Sequence, residues 1–276
     1  MNKILIACPV RNREWILPTY LEHLYKINYP KKLISLYFIV NNSTDNSLEL
    51  LKQFKLFYGI GYADITIDTM YKPQLPDDAR IVDIRNKHIY HWLCELRNYL
   101  LMKCVQLKCD YLLSCDTDIL VPSNILNELI IDDKSVCASL IYNGYHFKPQ
   151  NAGKGYNAIR MAYQYPNILN LVNEVNYKHV VNYHVKNPNL CNKNKILEID
   201  ATGAVSIIPF SVCRDTRYSW DKQGEDIAWS RDCQAKGYKL YCKPSIYSQH
   251  IMSEGLLDDY VSGKLQYNNG EVIKIV

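Results

Sequence analysis

Two carboxylates separated by one residue, Asp116 and Asp118, stand directly after the apolar run Tyr111-Leu112-Leu113-Ser114-Cys115. A short continuous apolar run of this kind reads as a buried strand. Residues that follow a strand in an open α/β sheet lie at its carboxyl edge, where ligands bind. Asp116-Thr117-Asp118 at such an edge offers the hard oxygen donors that Mg²⁺ or Mn²⁺ prefer. These ions take one or two carboxylates and complete their shell with water and phosphate oxygens. An ion held there would neutralise the charge of a departing diphosphate. The same tripeptide also serves as a solvated turn with a capping Asp, so the strand before it carries the weight of the reading.

A second acidic group follows about a hundred residues later in Gly224-Glu225-Asp226-Ile227-Ala228-Trp229. The apolar spacing of Ile227, Trp229 and Cys233 predicts a helix with both acids in its first turn. The helix dipole alone favours acids there. The chemical alternative makes Asp226 or Glu225 a general base that takes a proton from an attacking hydroxyl. That role requires burial or a neighbouring charge to raise the carboxyl pKa. His250, just beyond the strand-like run Tyr238 to Tyr247, is the third candidate, since a neutral imidazole is a common ligand of divalent ions. A lone histidine is more often structural, and only its place after a strand argues for more.

These groups need elements to hold them. Lys3 to Val10 and Leu33 to Val40 read as buried strands, and Ile65-Thr66-Ile67 as a third. Glu14 to Tyr25 and His88 to Leu107 carry apolar residues at helical spacing, the latter at Leu93, Leu96, Leu100, Leu101 and Val105. Leu48 to Phe54 opens a helix that Asp45, Asn46 or Ser47 can cap, and Asn124 to Ile131 opens another. Strand and helix alternating through short connections predict a right-handed parallel α/β unit. Residues 132–198 show no dominant period and read as strands and loops. With no repeat or linker, residues 1–250 read as one domain, with halves at about 1–120 and 121–250. Residues 251–276 read as a tail or lid.

Composition narrows the field. The 276 residues contain 32 basic and 28 acidic side chains, for a net charge of +4. There is no basic arm or nucleic-acid motif, so nucleic acid is not the expected partner; the excess suits an anionic nucleotide or acidic lipid headgroups. Met1-Asn2-Lys3 leads straight into a strand without the apolar region of a secretory signal. No run approaches the roughly 20 apolar residues of a membrane helix. Ten cysteines without a C-x-x-C pair fit reduced, buried thiols. The expectation is a cytoplasmic protein, with peripheral attachment to the inner face of a membrane left open.

The ordered set of motifs resembles the GT-A fold glycosyltransferases, particularly family 2. It comprises Pro9-Val10-Arg11-Asn12-Arg13-Glu14 after the first strand, Asn42-Ser43-Thr44-Asp45-Asn46-Ser47 after the second, and Leu96-Arg97-Asn98 on a helix. The Asp116-Thr117-Asp118 motif and Gly224-Glu225-Asp226, followed by Ala235-Lys236-Gly237-Tyr238, complete it. Tyr29-Pro30, Leu33-Ile34-Ser35-Leu36 and Ser43 to Leu48 are also similar to the fungal Golgi mannosyltransferase-complex family, a related GT-A group. The resemblance covers residues 3–140 and 199–250.

It implies a GT-A (Rossmann-like) architecture: a mostly parallel central sheet flanked by helices, with a smaller antiparallel sheet on the acceptor side. It implies transfer of a sugar from a UDP-sugar, or alternatively a GDP-sugar, to an acceptor hydroxyl with Mn²⁺ or Mg²⁺. In that scheme Pro9, Arg11 and Glu14 lie by base and ribose, Asn41 and Asn42 face the base, and Arg97 binds the nucleotide or its phosphates. Asp118 ligates the metal, Asp116 binds ribose or metal through water, Thr117 belongs with Asp116 to the nucleotide-binding set, and His250 completes the metal site. Asp226 is the base of an inverting reaction. Where family 2 usually carries an acid, this chain has Asn41-Asn42, which leaves the nucleotide open. Trp220, and more weakly Tyr142, are candidates to stack an acceptor sugar. The acceptor itself, whether glycan, lipid-linked sugar, peptide or small molecule, is not readable, and nor is the oligomeric state. The competing readings are an inactive carbohydrate- or nucleotide-sugar-binding protein, and a sugar nucleotidyltransferase. The last lacks support because no glycine-rich phosphate loop follows the first strand.

Overall fold

The computed structural model describes residues 1–72, 87–132, 135–143, 155–156, 159–161, 180–182, 196–221, 224–268 and 271–274. In chain order they form β1 (Ile4–Val10), α1 (Leu17–Lys26), β2 (Ile34–Asn41), α2 (Ser47–Tyr58), β3 (Asp64–Met70), α3 (Lys87–Gln106), β4 (Tyr111–Cys115), β5 (Ile119–Leu120), α4 (Ile125–Leu129) and β6 (Ser135–Asn143). Four short strands follow: β7 (Gly155–Tyr156), β8 (Ile159–Met161), β9 (Val180–Asn182) and β10 (Leu197–Ile199). The chain continues through β11 (Val205–Pro209), α5 (Phe210–Asp215), α6 (Glu225–Ala235), β12 (Lys239–His250), α7 (Glu254–Val261), β13 (Leu265–Asn268) and β14 (Glu271–Lys274).

One ten-stranded mixed sheet organises these elements, its main path running β10-β12-β6-β11-β4-β1-β2-β3. Strands β4, β1, β2 and β3 are parallel, as the alternating strand–helix order predicts. β11 is antiparallel to both β4 and β6, while β12 runs parallel to β6. β8 with β9 and β13 with β14 form two separate two-stranded ladders. The expected α/β architecture is thus present, with the antiparallel pairing of the later half drawn into the central sheet. β11 carries no clear periodic signal because it is five residues long and buried on both faces, which erases the alternation that marks a one-sided strand.

The core follows from the apolar runs. Strands β1 and β2 are buried along almost their whole length, as continuous Ile, Leu, Val and Phe require. Helix α1 adds Leu17, Tyr20, Leu21 and Leu24, and α3 adds Leu96, Leu100, Leu101 and Cys104. α1 starts later than its apolar spacing suggests. Residues 13–16 form a turn in which the Arg13 carbonyl accepts the amides of Ile16 and Leu17. Pro18 sits in the first helical turn, where its missing N–H costs nothing. The nine described cysteines are all buried and unbridged. No helix among the described residues is long and apolar enough to cross a membrane.

Two loops at the carboxyl edge of β1 and β2 are clasped together by polar side chains. Asn12 takes a positive φ of 50°, a conformation Asn tolerates better than most residues. Its amide donates to Ser43 Oγ at 3.1 Å and its Oδ1 accepts the Thr44 amide at 2.8 Å. The Arg13 amide donates to Ser47 Oγ at 2.8 Å, at the first residue of α2. Asp45 accepts the amides of Glu14 (2.9 Å) and Ser47 (3.0 Å), capping α2 from outside the helix. Hydrogen bonds to a carboxylate are worth about 1.5–3 kcal/mol each when sheltered, and less where solvent competes. Asp45→Ala should therefore lower unfolding stability by about 1–2 kcal/mol, measured as a shift in urea midpoint at unchanged slope.

Candidate functional site

At the carboxyl edge of the parallel strands lies a cavity of about 250 Å³, lined by Pro9, Arg11, Arg13, Asn41, Arg97 and Asp116-Thr117-Asp118 among others. Helix α3 supplies an apolar wall through Ile89, Trp92, Leu93 and Leu96. Pro9, Arg11, Asn41, Asp116, Thr117 and Asp118, all named by the resemblance, thus line one cavity.

Other candidates are placed differently. Glu14 is exposed and bonds Asn46 through both carboxylate oxygens (3.1 Å to the amide, 2.6 Å to Nδ2), so it belongs to the loop clasp and not to the cavity wall. Asn42, with φ of 49°, brackets the Lys72 backbone, its Nδ2 donating to the carbonyl (2.8 Å) and its Oδ1 accepting the amide (3.0 Å). It anchors the chain after β3. Trp220 lines a second cavity of about 490 Å³ on another face of α3, where its ring stacks 6.0 Å from His91. The Tyr142 side chain lies outside the described residues, although its backbone is in β6.

The floor of the site is organised by Arg97. This guanidinium is 4 % exposed. It donates from Nη2 to Asp116 Oδ2 at 3.1 Å and from Nε to Glu225 Oε1 at 3.4 Å, and it lies 3.9 Å from Asp226 Oδ1. Its face lies over the Tyr218 ring at 5.8 Å, and Tyr218 stacks on Trp229 at 4.9 Å. Asn98 fixes Tyr218 by pairing with its backbone N–H (2.8 Å) and C=O (2.9 Å). Arg97 lines the cavity, and its Nε and Nη2 donate to protein carboxylates, which its buried position requires.

Asp226 stands in the first turn of α6 with Glu225 beside it. Its Oδ1 is buried without a hydrogen bond, while the side chain as a whole is 30 % exposed, so the second oxygen is the reachable one. Desolvation first, and the charge of Glu225 next, push the Asp226 carboxyl well above the ordinary carboxylate range; Arg97 opposes both. That is the environment a carboxylate base needs. Gly203 makes the position possible: a Cβ on it would fall 2.1 Å from Asp226 Oδ2. α6 is tied to the same segment, because Ser230 Oγ donates to the Asp226 carbonyl (2.7 Å) and accepts the Thr202 amide (3.4 Å).

Opposite, β5 pairs with the end of β12 so that His250 aligns with Ile119. This register sets His250 Nε2 3.8 Å from Asp118 Oδ1. A register shift between Lys243 and Tyr247, around a proline that offers no ladder donor, brings the strand end to that point. Asp118 Oδ2 meets Arg13 Nη2 at 3.3 Å, and Arg13 Nε donates to Thr117 Oγ1 at 3.1 Å. Burial raises the Asp118 carboxyl pKa, with His250 acting against the rise and Asp116 adding to it.

No group of three or more His, Cys, Asp or Glu side chains among the described residues converges as a ready metal cage. The donor set nevertheless fits a hard cation. One ion with bonds of about 2.1 Å reaches both Asp118 and His250 across 3.8 Å, and such ions take their remaining ligands from water and phosphate. Charge points the same way: among the described residues, the ion-pair partners of Asp116, Asp118, Glu225 and Asp226 are Arg13, Arg97 and the imidazole of His250. Arg13 and Gly203 were not singled out from sequence. Arg13 is readable as the second arginine of the post-β1 motif, whereas Gly203 carries no signal before its neighbour across the fold is known.

The comparisons with known proteins extend this picture. The Anp1 family model matches residues 1–209. The Schizosaccharomyces pombe mannan polymerase II complex anp1 subunit is 22% identical over 301 residues, covering 98% of this chain and 69% of that protein. Procollagen galactosyltransferase 1-B of Xenopus laevis is 28% identical over 139 residues, 50% of this chain and 23% of that protein. The mouse inactive glycosyltransferase 25 family member 3 is 27% identical over 129 residues, covering 47% and 22%. The match thus spans under a quarter of the length of these last two relatives. Among solved structures, GalNAc-T7 with UDP, GalNAc and Mn²⁺ superposes with a TM-score of 0.59 at 15% identity, over 91% of this chain and 44% of that one. The mannosyltransferase PcManGT of Pyrobaculum calidifontis, in complex with GDP-Man and Mn²⁺, gives 0.52 at 10% identity, over 91% and 57%. The shared feature is the GT-A fold.

The contact between Gly203 and Asp226 can be tested without reference to activity. Gly203→Ala should cost about 1–3 kcal/mol through overpacking, and clearly less in an Asp226→Ala background. Chemical denaturation of the four proteins of this double-mutant cycle measures the difference; additive costs would refute the contact.

Proposed function

The chain belongs to the Anp1 family, and from that premise we propose that it is a metal-assisted glycosyltransferase that moves a hexosyl group from a nucleoside diphosphate sugar to an acceptor hydroxyl. The observation that carries this reading is the pairing of two unlike carboxylate environments around one buried arginine. Asp116-Thr117-Asp118 lines the cavity, and Asp226, desolvated and with one carboxylate oxygen lacking a hydrogen bond, is joined to it through Arg97, 3.9 Å from Nε. A carboxyl whose pKa is raised by burial and by a neighbouring charge, beside a cleft, suits acid–base chemistry.

In this reading Pro9, Arg11, Asn41 and the apolar wall of Ile89, Trp92 and Leu93 hold the nucleoside. Asn41 offers both a donor and an acceptor, so it serves a UDP-sugar, the favoured donor, or a GDP-sugar. Asp118 and His250, with Asp116 adjacent, would hold Mn²⁺ or Mg²⁺. Bound there, the ion supplies the positive charge that a diphosphate needs above a floor rich in carboxylates. Asp226 accepts the proton of the acceptor hydroxyl as its oxygen attacks the anomeric carbon from the face opposite the diphosphate, which inverts configuration. Glu225 and Arg97 position Asp226 and tune it. Arg13 holds Asp118 and Thr117 in place. The S. pombe relative is named as a subunit of a complex, which supports looking for heteromeric partners as well as for the acceptor.

Donor hydrolysis across UDP- and GDP-sugars, with Mn²⁺ or with EDTA, tests the reading without knowledge of the acceptor. One donor should turn over with metal, and Asp118→Asn should lower the rate about a hundredfold or more. Intact nucleotide binding by calorimetry with no turnover of any donor would favour the inactive binding protein, a reading that the inactive mouse relative keeps in play.

The pH profile gives a second test. Asp226 must be ionised to accept a proton, so kcat/KM should rise as pH climbs through its raised pKa. The charge of Glu225 contributes to that rise. Glu225→Gln should therefore move the acidic limb of the profile to lower pH, and a limb that stays put would remove Asp226 from the role of base.

A further inference from the structure

We infer that the pole of the molecule opposite the cleft is a docking surface for a membrane bearing anionic lipid. Helix α2 starts beside the site, where Ser47 Oγ accepts the Arg13 amide, and runs back along the parallel sheet to the amino edge of β3. At that far end the chain exposes side chains that burial should claim. Leu56 is 79 % exposed, Phe57 70 % and Ile60 90 %. Ile60 occupies the tip of a Gly59-Ile60-Gly61 turn. Tyr25 and Tyr58, both exposed, flank this group with their rings 4.9 Å apart, and Phe54 supports Tyr58 from beneath at 4.9 Å. An apolar cluster this exposed on a soluble surface marks an interaction site.

The charge around it identifies the partner. Residues 17–33 and 47–61 hold five lysines against two glutamates. Lys26, Lys32, Lys52 and Lys55 are exposed around the apolar tip, and Lys32 Nζ donates to the Ile60 carbonyl, fixing a cation at the base of the turn. Lys26 and Lys52 lie 2.6 and 3.8 Å from Glu22 and Glu49, but ion pairs this exposed are weak and yield readily to other anions. Protein interfaces are depleted in lysine relative to the rest of the surface. A protruding apolar tip ringed by lysines instead matches interfacial insertion, in which the apolar side chains enter the headgroup boundary and the ammonium groups meet anionic phosphates. Docked in this way, the protein would turn its cleft away from the bilayer. The inference does not depend on the transferase reading.

Sedimentation of the whole protein with vesicles tests it, using phosphatidylcholine alone and phosphatidylcholine mixed with phosphatidylserine. The wild type should co-sediment with the mixed vesicles only, and less so as salt is raised. Phe57→Ser combined with Ile60→Ser, and separately Lys32→Glu combined with Lys55→Glu, should each lower the partition coefficient about tenfold or more. The thermal transition of each variant should stay close to that of the wild type, because the altered side chains are exposed. Equal binding to neutral vesicles, or wild-type partitioning by the Phe57/Ile60 variant, would overturn the inference. So would a wild-type dimer in gel filtration that vesicles do not capture and that the Phe57/Ile60 variant disrupts; that outcome makes the patch a protein interface.

Discussion

A guanidinium cannot shed its proton to escape a low-dielectric site, so burying Arg97 obliges the surrounding chain to deliver negative charge to it. Two segments meet that demand for the arginine carried by α3: Asp116, just after β4, and Glu225 and Asp226 from the start of α6. Removing Arg97 would leave these carboxylates facing one another without a cation, which is costly in the interior. The arginine therefore does more than neutralise. It sets the spacing between the two acidic motifs, and so the width of the cleft that a reaction would use.

The remaining constraints orient what Arg97 gathers. Tyr218 and Trp229 stack beneath the guanidinium, and Asn98 fixes Tyr218 through the backbone, so the cluster is backed by rigid aromatic packing. The absence of a side chain at Gly203 admits the Asp226 carboxylate to a place it could not otherwise occupy. On the other flank, the clasp between the loops after β1 and β2 holds Arg13 where it reaches Thr117 and Asp118. Each device uses a small number of polar contacts on a rigid parallel sheet, which is how loops acquire precision from a scaffold.

This division gives the molecule two poles. The carboxyl edge of the sheet concentrates carboxylates and a cavity, as the direction of parallel strands dictates. The amino edge collects the ends of α1 and α2, with exposed apolar residues and lysines. Helices that cross back along a parallel sheet must finish at that edge, so chemistry and surface recognition are kept apart by topology.

Much of this was legible in the chain itself. Continuous apolar runs identified β1, β2 and β4, because strands buried on both faces leave no polar positions, and helical spacing identified α3. Local order then placed Asp116-Thr117-Asp118 at a strand end and Glu225-Asp226 in a first helical turn, since both follow from neighbours within a few residues. What remained hidden depended on contacts between segments 19 to 128 residues apart. Nothing near Arg97 reveals that its partners are carboxylates on β4 and α6. Glu14 and Asn42 carry the residue types of a binding site, yet their nearest polar neighbours are in adjoining loops. Gly203 has meaning only beside Asp226. Sequence determines the elements and the edge at which chemistry can occur, because secondary structure and strand direction arise from short-range patterns. Tertiary structure decided which charges meet, because the energy of a buried charge depends on whichever groups the fold brings within a few ångströms of it.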